Sequence, residues 1–103
     1  MSRQTLPSAR LQTLSELRPT VLRVTHARGI TNVRVFGSFA RGDQRSHSDL
    51  DLLVELPDGA TLIDLSGLKI DLEEAVGRKV DVLTEGGISS YLRDRILSDA
   101  RPL

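Results

Sequence analysis

The sequence predicts a small α/β (α+β) protein: a short mixed β-sheet with helices packed on one face. Three observations carry the prediction. The runs "NVRVFG", "DLDLLVEL" and "KVDVLT" have the alternation and turn-bounded length of strands. The segments before, between and after them place apolar residues at helical spacing. The whole chain has 103 residues, 39% hydrophobic and 27% charged, which suits one globular domain spanning residues 1–103.

Taken in order, residues 8–28 read as helical. Leu11, Leu14 and Leu17 recur at spacing three, and Val21, Leu22 and Val24 continue the stripe. Pro19 breaks it, since proline lacks an amide hydrogen and crowds the preceding turn; two helices or one kinked helix both fit. Gly29 is a suitable C-terminal cap. In the first strand Val33 and Val35 alternate with Arg34 and Phe36. "SFAR" allows a short turn of helix before Gly42, "DQRSHS" a polar loop, and "PDGA" a turn after the second strand. Leu62, Leu65, Leu68, Ile70, Leu72 and Val76 predict a helix with its leucine-rich face in the core, stopped by Gly77. After "KVDVLT", "SSYLRDRILSDA" reads as a final helix capped by Ser89 or Ser90.

Composition narrows the function. Aromatics are only 3%, so the core is mainly Leu, Val and Ile, and a base-stacking platform is disfavoured. With no cysteine there is no disulfide, thiolate zinc site or cysteine nucleophile. The start, "MSRQTLPSAR", lacks the apolar stretch of a secretory signal, and no run approaches a membrane span, so a cytoplasmic protein without membrane contact is expected. Fourteen basic residues balance fourteen acidic ones, which disfavours direct nucleic-acid binding through phosphate neutralisation. The charges are unevenly spread: eight arginines fall in the first 45 residues, and the acids concentrate from Asp49 to Glu85.

The chemistry lies in "GSFARGDQRSHSDLDLLVEL", residues 37–56. On a strand, Leu50, Leu52, Val54 and Leu56 share one face and Asp49, Asp51, Leu53 and Glu55 the other. Pairing with "KVDVL" aligns Val80 and Val82 with the apolar row, and Asp81 joins Asp49 and Asp51. Three such carboxylates repel one another and raise each other's pKa. A hard divalent cation relieves that repulsion, and Mg²⁺ takes carboxylate and phosphate oxygens. Two ions about 3.5–4 Å apart can activate an attacking oxygen and neutralise a leaving one. Gly37 and Ser38, at a strand end opening a helical turn, offer outward backbone amides and a hydroxyl to phosphate. Arg41 can reach the same phosphates. Together these are the equipment of phosphoryl or nucleotidyl transfer.

The spacing of Gly-Ser, ten residues, then Asp-x-Asp, with a later Asp, resembles the polymerase-β-like nucleotidyltransferase superfamily. Within it, "GSFARG" and "SDLDLLVEL" look like the minimal nucleotidyltransferases (MNT), antitoxin partners of HEPN-domain toxins. The likeness runs along nearly the whole chain. It implies that Asp49 and Asp51 bind the metal, that Asp81 is the third acid and helps activate the acceptor hydroxyl, and that Gly37 and Ser38 hold the β and γ phosphates. It further implies attack on the α phosphorus of ATP with release of pyrophosphate, two Mg²⁺ ions, and a tyrosine acceptor on a HEPN RNase silenced by adenylylation. Larger relatives carry an added helical domain, so another subunit is expected to complete the site.

Two other readings stand beside this one: a non-catalytic antitoxin that covers its toxin, and a subunit of a small-molecule, antibiotic-type nucleotidyltransferase. His47 is expected to be solvent-exposed without a catalytic role. Tyr91 suits either a partner interface or the core.

Overall fold

The computed structural model of the chain describes residues 12–103. Thr13 starts the first helix, α1 (Leu14–Ala27), by a reciprocal cap. Its hydroxyl accepts from the Glu16 amide at 3.2 Å, and its amide donates to the Glu16 carboxylate at 2.9 Å. Pro19 does not divide this helix. Ser15, whose carbonyl would have received the missing amide, is exposed, as is Pro19, so solvent can satisfy that group. Leu17, Val21 and Thr25 form the buried stripe, and Gly29 follows the helix end at φ +76°. The part of the predicted helix from Ser8 to Leu11 lies outside the described residues.

Strand β1 (Val33–Phe36) pairs antiparallel with β2 (Leu50–Val54), and a four-residue helix, α2 (Ser38–Arg41), opens the connection between them. β2 pairs in parallel with β3 (Val80–Leu83). A parallel pair needs a crossover, which α3 (Leu62–Val76) supplies. α3 begins at a second reciprocal cap, Thr61 with Asp64, and ends at Gly77 with φ +71°. The last helix, α4 (Ser90–Asp99), is capped by the Ser89 hydroxyl, which accepts from the Tyr91 amide at 3.3 Å. A two-residue strand, β4 (Arg101–Pro102), then pairs antiparallel with β1, giving the order β3-β2-β1-β4. The sequence reading has no β4, because two residues are too few to alternate and proline is tolerated only at an edge.

Val33, Val35, Leu50, Leu52, Val80 and Val82 line one face of the sheet and pack against Leu17 and Val21 of α1 and Leu68, Leu72 and Val76 of α3. The opposite face carries Leu53 and Phe36, buried under Ile96 of α4. The expectation of helices on one face therefore holds for α1 and α3 but not for α4. Leu53, fully buried on the face that bears Asp51, needs an apolar cover, and α4 provides it.

The leucine-rich face of α3 is also narrower than predicted. Leu68, Leu72 and Val76 repeat every four residues and are buried, whereas Leu62 and Ile70 are 79% and 57% exposed. Ile70 stands about 200° around the helix from Leu68, and Leu62 lies one turn before Leu65, where packing begins.

The outer edge of β3 is closed by two α3 side chains. Glu73 accepts from the Val80 amide at 3.0 Å and from Lys69 Nζ at 2.8 Å, and Lys69 also donates to the Val80 carbonyl at 2.6 Å. Among the described residues, no helix is long and apolar enough to cross a membrane.

Candidate active site

β1 ends at Phe36, and the chain turns sharply at Gly37, with φ +73° and ψ −153°. That backbone region is open essentially to glycine alone. A second constraint acts on the same residue. A Cβ at Gly37 would run into the carboxylate of Asp51, within 3.1 Å of its Cγ and closer still to Oδ2. The turn and the acid are thus packed directly on each other. Ser38 follows as the first residue of α2, and the amides of Ser38 and Phe39 have no acceptor within the helix they start.

Asp51 sits on β2 in register with Phe36 on one side and with Asp81 of β3 on the other. Register partners of a parallel pair point to the same face, so the two acids are neighbours there. Asp51 is half-buried, and its pKa is raised from 3.8 to about 6. Burial is the largest cause; the charges of Asp81 and Asp49 add to it, and Arg41 opposes it. Asp49 is exposed, one residue before β2, delivered by a turn in which the Ser48 hydroxyl accepts from the Arg45 amide at 2.7 Å.

Among the described residues, no three His, Asp or Glu side chains are drawn together closely enough to hold an ion as they stand. Asp49 and Asp81 reach Asp51 as charges on the same face rather than as a closed ligand set. The donors nonetheless suit a hard divalent cation. All are carboxylate oxygens, and a cation would offset the like charge that Asp81 and Asp49 place on the half-buried Asp51.

Arg41, at the end of α2, does not stand open towards the Gly37 turn. Its Nη1 donates to Asp99 of α4 at 2.7 Å and its Nε to Asp43 at 3.2 Å. The Arg41–Asp99 pair bridges α2 and α4 across a cavity of about 260 Å³, bordered by Gly37, Asp81, Leu92 and Arg95. A cavity of about 390 Å³ beside Arg28 and the turn at Pro57–Ala60 touches none of these residues. His47 is exposed, and Tyr91, 96% exposed at the start of α4, is not a core residue.

Gly37, Asp51, Asp81 and Arg41 therefore gather at one end of the sheet, with Ser38 and Asp49 adjacent in the chain. Sequence reasoning missed the contribution of α4, namely Leu92, Arg95 and Asp99. No local signal marks them, because they reach the site only through the packing of Ile96 on Phe36 and Leu53. It also missed Arg78, buried behind the loop that carries Asp49.

The nucleotidyltransferase domain model matches residues 15–103, and the chain belongs to that family. A Methanocaldococcus jannaschii protein named "Putative protein adenylyltransferase MJ0435" is 41% identical over 87 residues, covering 84% of this chain and 94% of that one. A solved structure called a "putative minimal nucleotidyltransferase" is 44% identical with a TM-score of 0.75, covering 89% of this chain and 97% of that one. The same fold occurs in a chain of a solved complex described as a tri-AMPylated Shewanella oneidensis HEPN toxin with MNT antitoxin. There the identity is 17% and the TM-score 0.66, over 85% of this chain and 69% of that one. The resemblance to the MNT group is thus upheld.

Proposed function

We propose that this chain is a protein adenylyltransferase that moves AMP from ATP to a tyrosine hydroxyl of a cognate HEPN RNase toxin and thereby neutralises it, as a single minimal domain of the cytoplasm. The observation that carries the reading is the packing of Gly37 on Asp51, with Asp81 in register beside it. The names of its relatives point the same way.

In this reading Gly37 and the first amides of α2 bind the β and γ phosphates, with the Ser38 hydroxyl as a further donor. Arg41 joins them once phosphate competes with Asp99 for its guanidinium. The acceptor oxygen forms a bond to the α phosphorus, the bond from that phosphorus to the bridging oxygen breaks, and pyrophosphate leaves. Asp81, exposed beside the cavity under α4, takes up the proton of the acceptor hydroxyl. Asp49, Asp51 and Asp81 would hold Mg²⁺, two ions in all, which when bound supplies charge neutralisation at the phosphates.

The test is co-expression with a HEPN-domain protein, followed by intact mass analysis of that partner. Added AMP with the wild type, and none with Asp49→Ala/Asp51→Ala, is the expected result. An unmodified partner in both cases rejects the proposal. The open arrangement of the carboxylates favours one rival, an antitoxin that acts by covering its toxin. That rival predicts that the double variant still protects cells. Modification of a small hydroxylated molecule instead of a protein would point to the antibiotic-type alternative.

A further inference from the structure

Arg78 is a buried cation that the proposed chemistry does not use. It follows Gly77 at the end of α3 and is only 7% exposed. Its Nη1 donates to the Ser48 carbonyl at 2.7 Å, and its Nη2 donates to Gln12 Oε1 at 2.9 Å. Its guanidinium lies over the Phe39 ring, 5.1 Å from the centroid. Gln12 is itself buried, and its backbone carbonyl accepts from Gln44 Nε2 at 3.0 Å, which ties in the loop between α2 and β2.

Each contact reaches a segment that carries the site. Ser48 immediately precedes Asp49, Phe39 immediately follows Ser38, and Arg78 is three residues before Asp81. A helix ending at Gly77 needs no buried charge after it, and burying a guanidinium is costly unless it is well paired. Resting on the nucleotidyltransferase reading, we infer that Arg78 is a positioning residue: one guanidinium sets the distance between the Gly37-Ser38 turn and Asp49. Its planar fork reaches two acceptors while its face stacks on a ring, which a lysine ammonium cannot do.

The consequence falls on the chemical step. A shift of the Ser48 carbonyl moves Asp49 relative to the phosphates without removing any group that touches them. Arg78→Met is expected to lower kcat for AMP transfer about 10- to 100-fold, with KM for ATP changing less than about 3-fold. Arg78→Lys, which keeps the charge but not the two-pronged contact, should fall between. Leu72→Ala, a buried α3 residue away from the site, is the control for lost stability and should leave kcat within about 2-fold below its melting temperature. Mn²⁺ titration followed by electron paramagnetic resonance adds a readout that needs no turnover. Affinity should drop about 10-fold or more in both Arg78 variants and stay unchanged in Leu72→Ala.

If Arg78→Met matches Leu72→Ala in both kcat and Mn²⁺ affinity, Arg78 serves stability alone and the inference is wrong. Should Arg78→Met not fold, Arg78→Lys carries the comparison on the same criteria. If the wild type transfers no AMP to any partner, the proposed function is what fails. The Mn²⁺ titration then decides the inference alone, and unchanged affinity in the Arg78 variants overturns it.

Discussion

Asp51 and Asp81 are register partners across the parallel pair β2–β3, so two carboxylates stand side by side on one face, with Gly37 closing over the first. The charge of Asp81 disfavours the ionised form of Asp51 in the protein alone.

Asp51→Asn should abolish transfer and, at neutral pH without metal, raise the melting temperature. The sign follows from the pKa of Asp51, raised from 3.8 to about 6. The folded form then binds the proton more tightly than the unfolded one, so this group's contribution to stability falls as pH rises from about 4 to about 6. Calorimetry at pH 4 and pH 8 in chelator checks it. The variant should exceed the wild type at pH 8 and approach it at pH 4. Mg²⁺ with an ATP analogue should stabilise the wild type more than the variant.

Gly37→Ala should lose both stability and activity. Its positive φ and the collision with Asp51 add up to about 1–3 kcal/mol, measurable by urea unfolding. Gly42→Ala has a positive φ but meets no neighbouring atom, so it should cost less and spare transfer.

Asp99→Asn releases Arg41 from α4. The pair is partly exposed and screened by solvent, so little stability should be lost. The effect expected is on ATP, with KM lowered because phosphate no longer competes with Asp99 for the guanidinium. Arg41→Ala should raise KM for ATP. Steady-state kinetics of the two variants separates them.

Glu73 links α3 to the edge of β3, and its pKa is lowered chiefly by the hydrogen bond from Lys69 and then by that from the Val80 amide. Its contribution is present above the ordinary glutamate range and lost as pH falls through the lowered value. Glu73→Ala should therefore destabilise by about 1 kcal/mol at pH 7 and by less near pH 3. Hydrogen exchange at the Val80 amide should speed up in the variant.

Leu62→Asp and Ile63→Asp should change stability by less than about 0.5 kcal/mol, whereas Leu68→Ala should cost about 2–5 kcal/mol. Equal losses at all three positions in thermal unfolding would contradict the exposure described for the start of α3.

Much of this was legible in the chain because it is local. A glycine that must turn sharply, a serine after it and aspartates at strand parity are properties of neighbours in sequence. The caps at Thr13 and Thr61 are equally local but are missed by the sequence reading, and among the described residues the first helix starts after Thr13 rather than at residue 8. Of the two readings at Pro19 the single helix holds, because this side of α1 faces solvent, which can satisfy the carbonyl left without an amide. The core role given to Leu62 and Ile70 failed because hydrophobicity says what can be buried, and packing decides what is.

The sequence by itself determined the alternation that puts Asp51 and Asp81 on one face, with Asp49 just before the strand, and the order of the strands and helices apart from β4, since periodicity and turn chemistry act within a few residues. Only the tertiary structure decided that α4 covers that face, that Asp99 holds Arg41, and that Arg78 reaches the segments beside both Ser38 and Asp49. Those contacts join residues 30 to 60 positions apart, and they exist because apolar burial draws distant elements together.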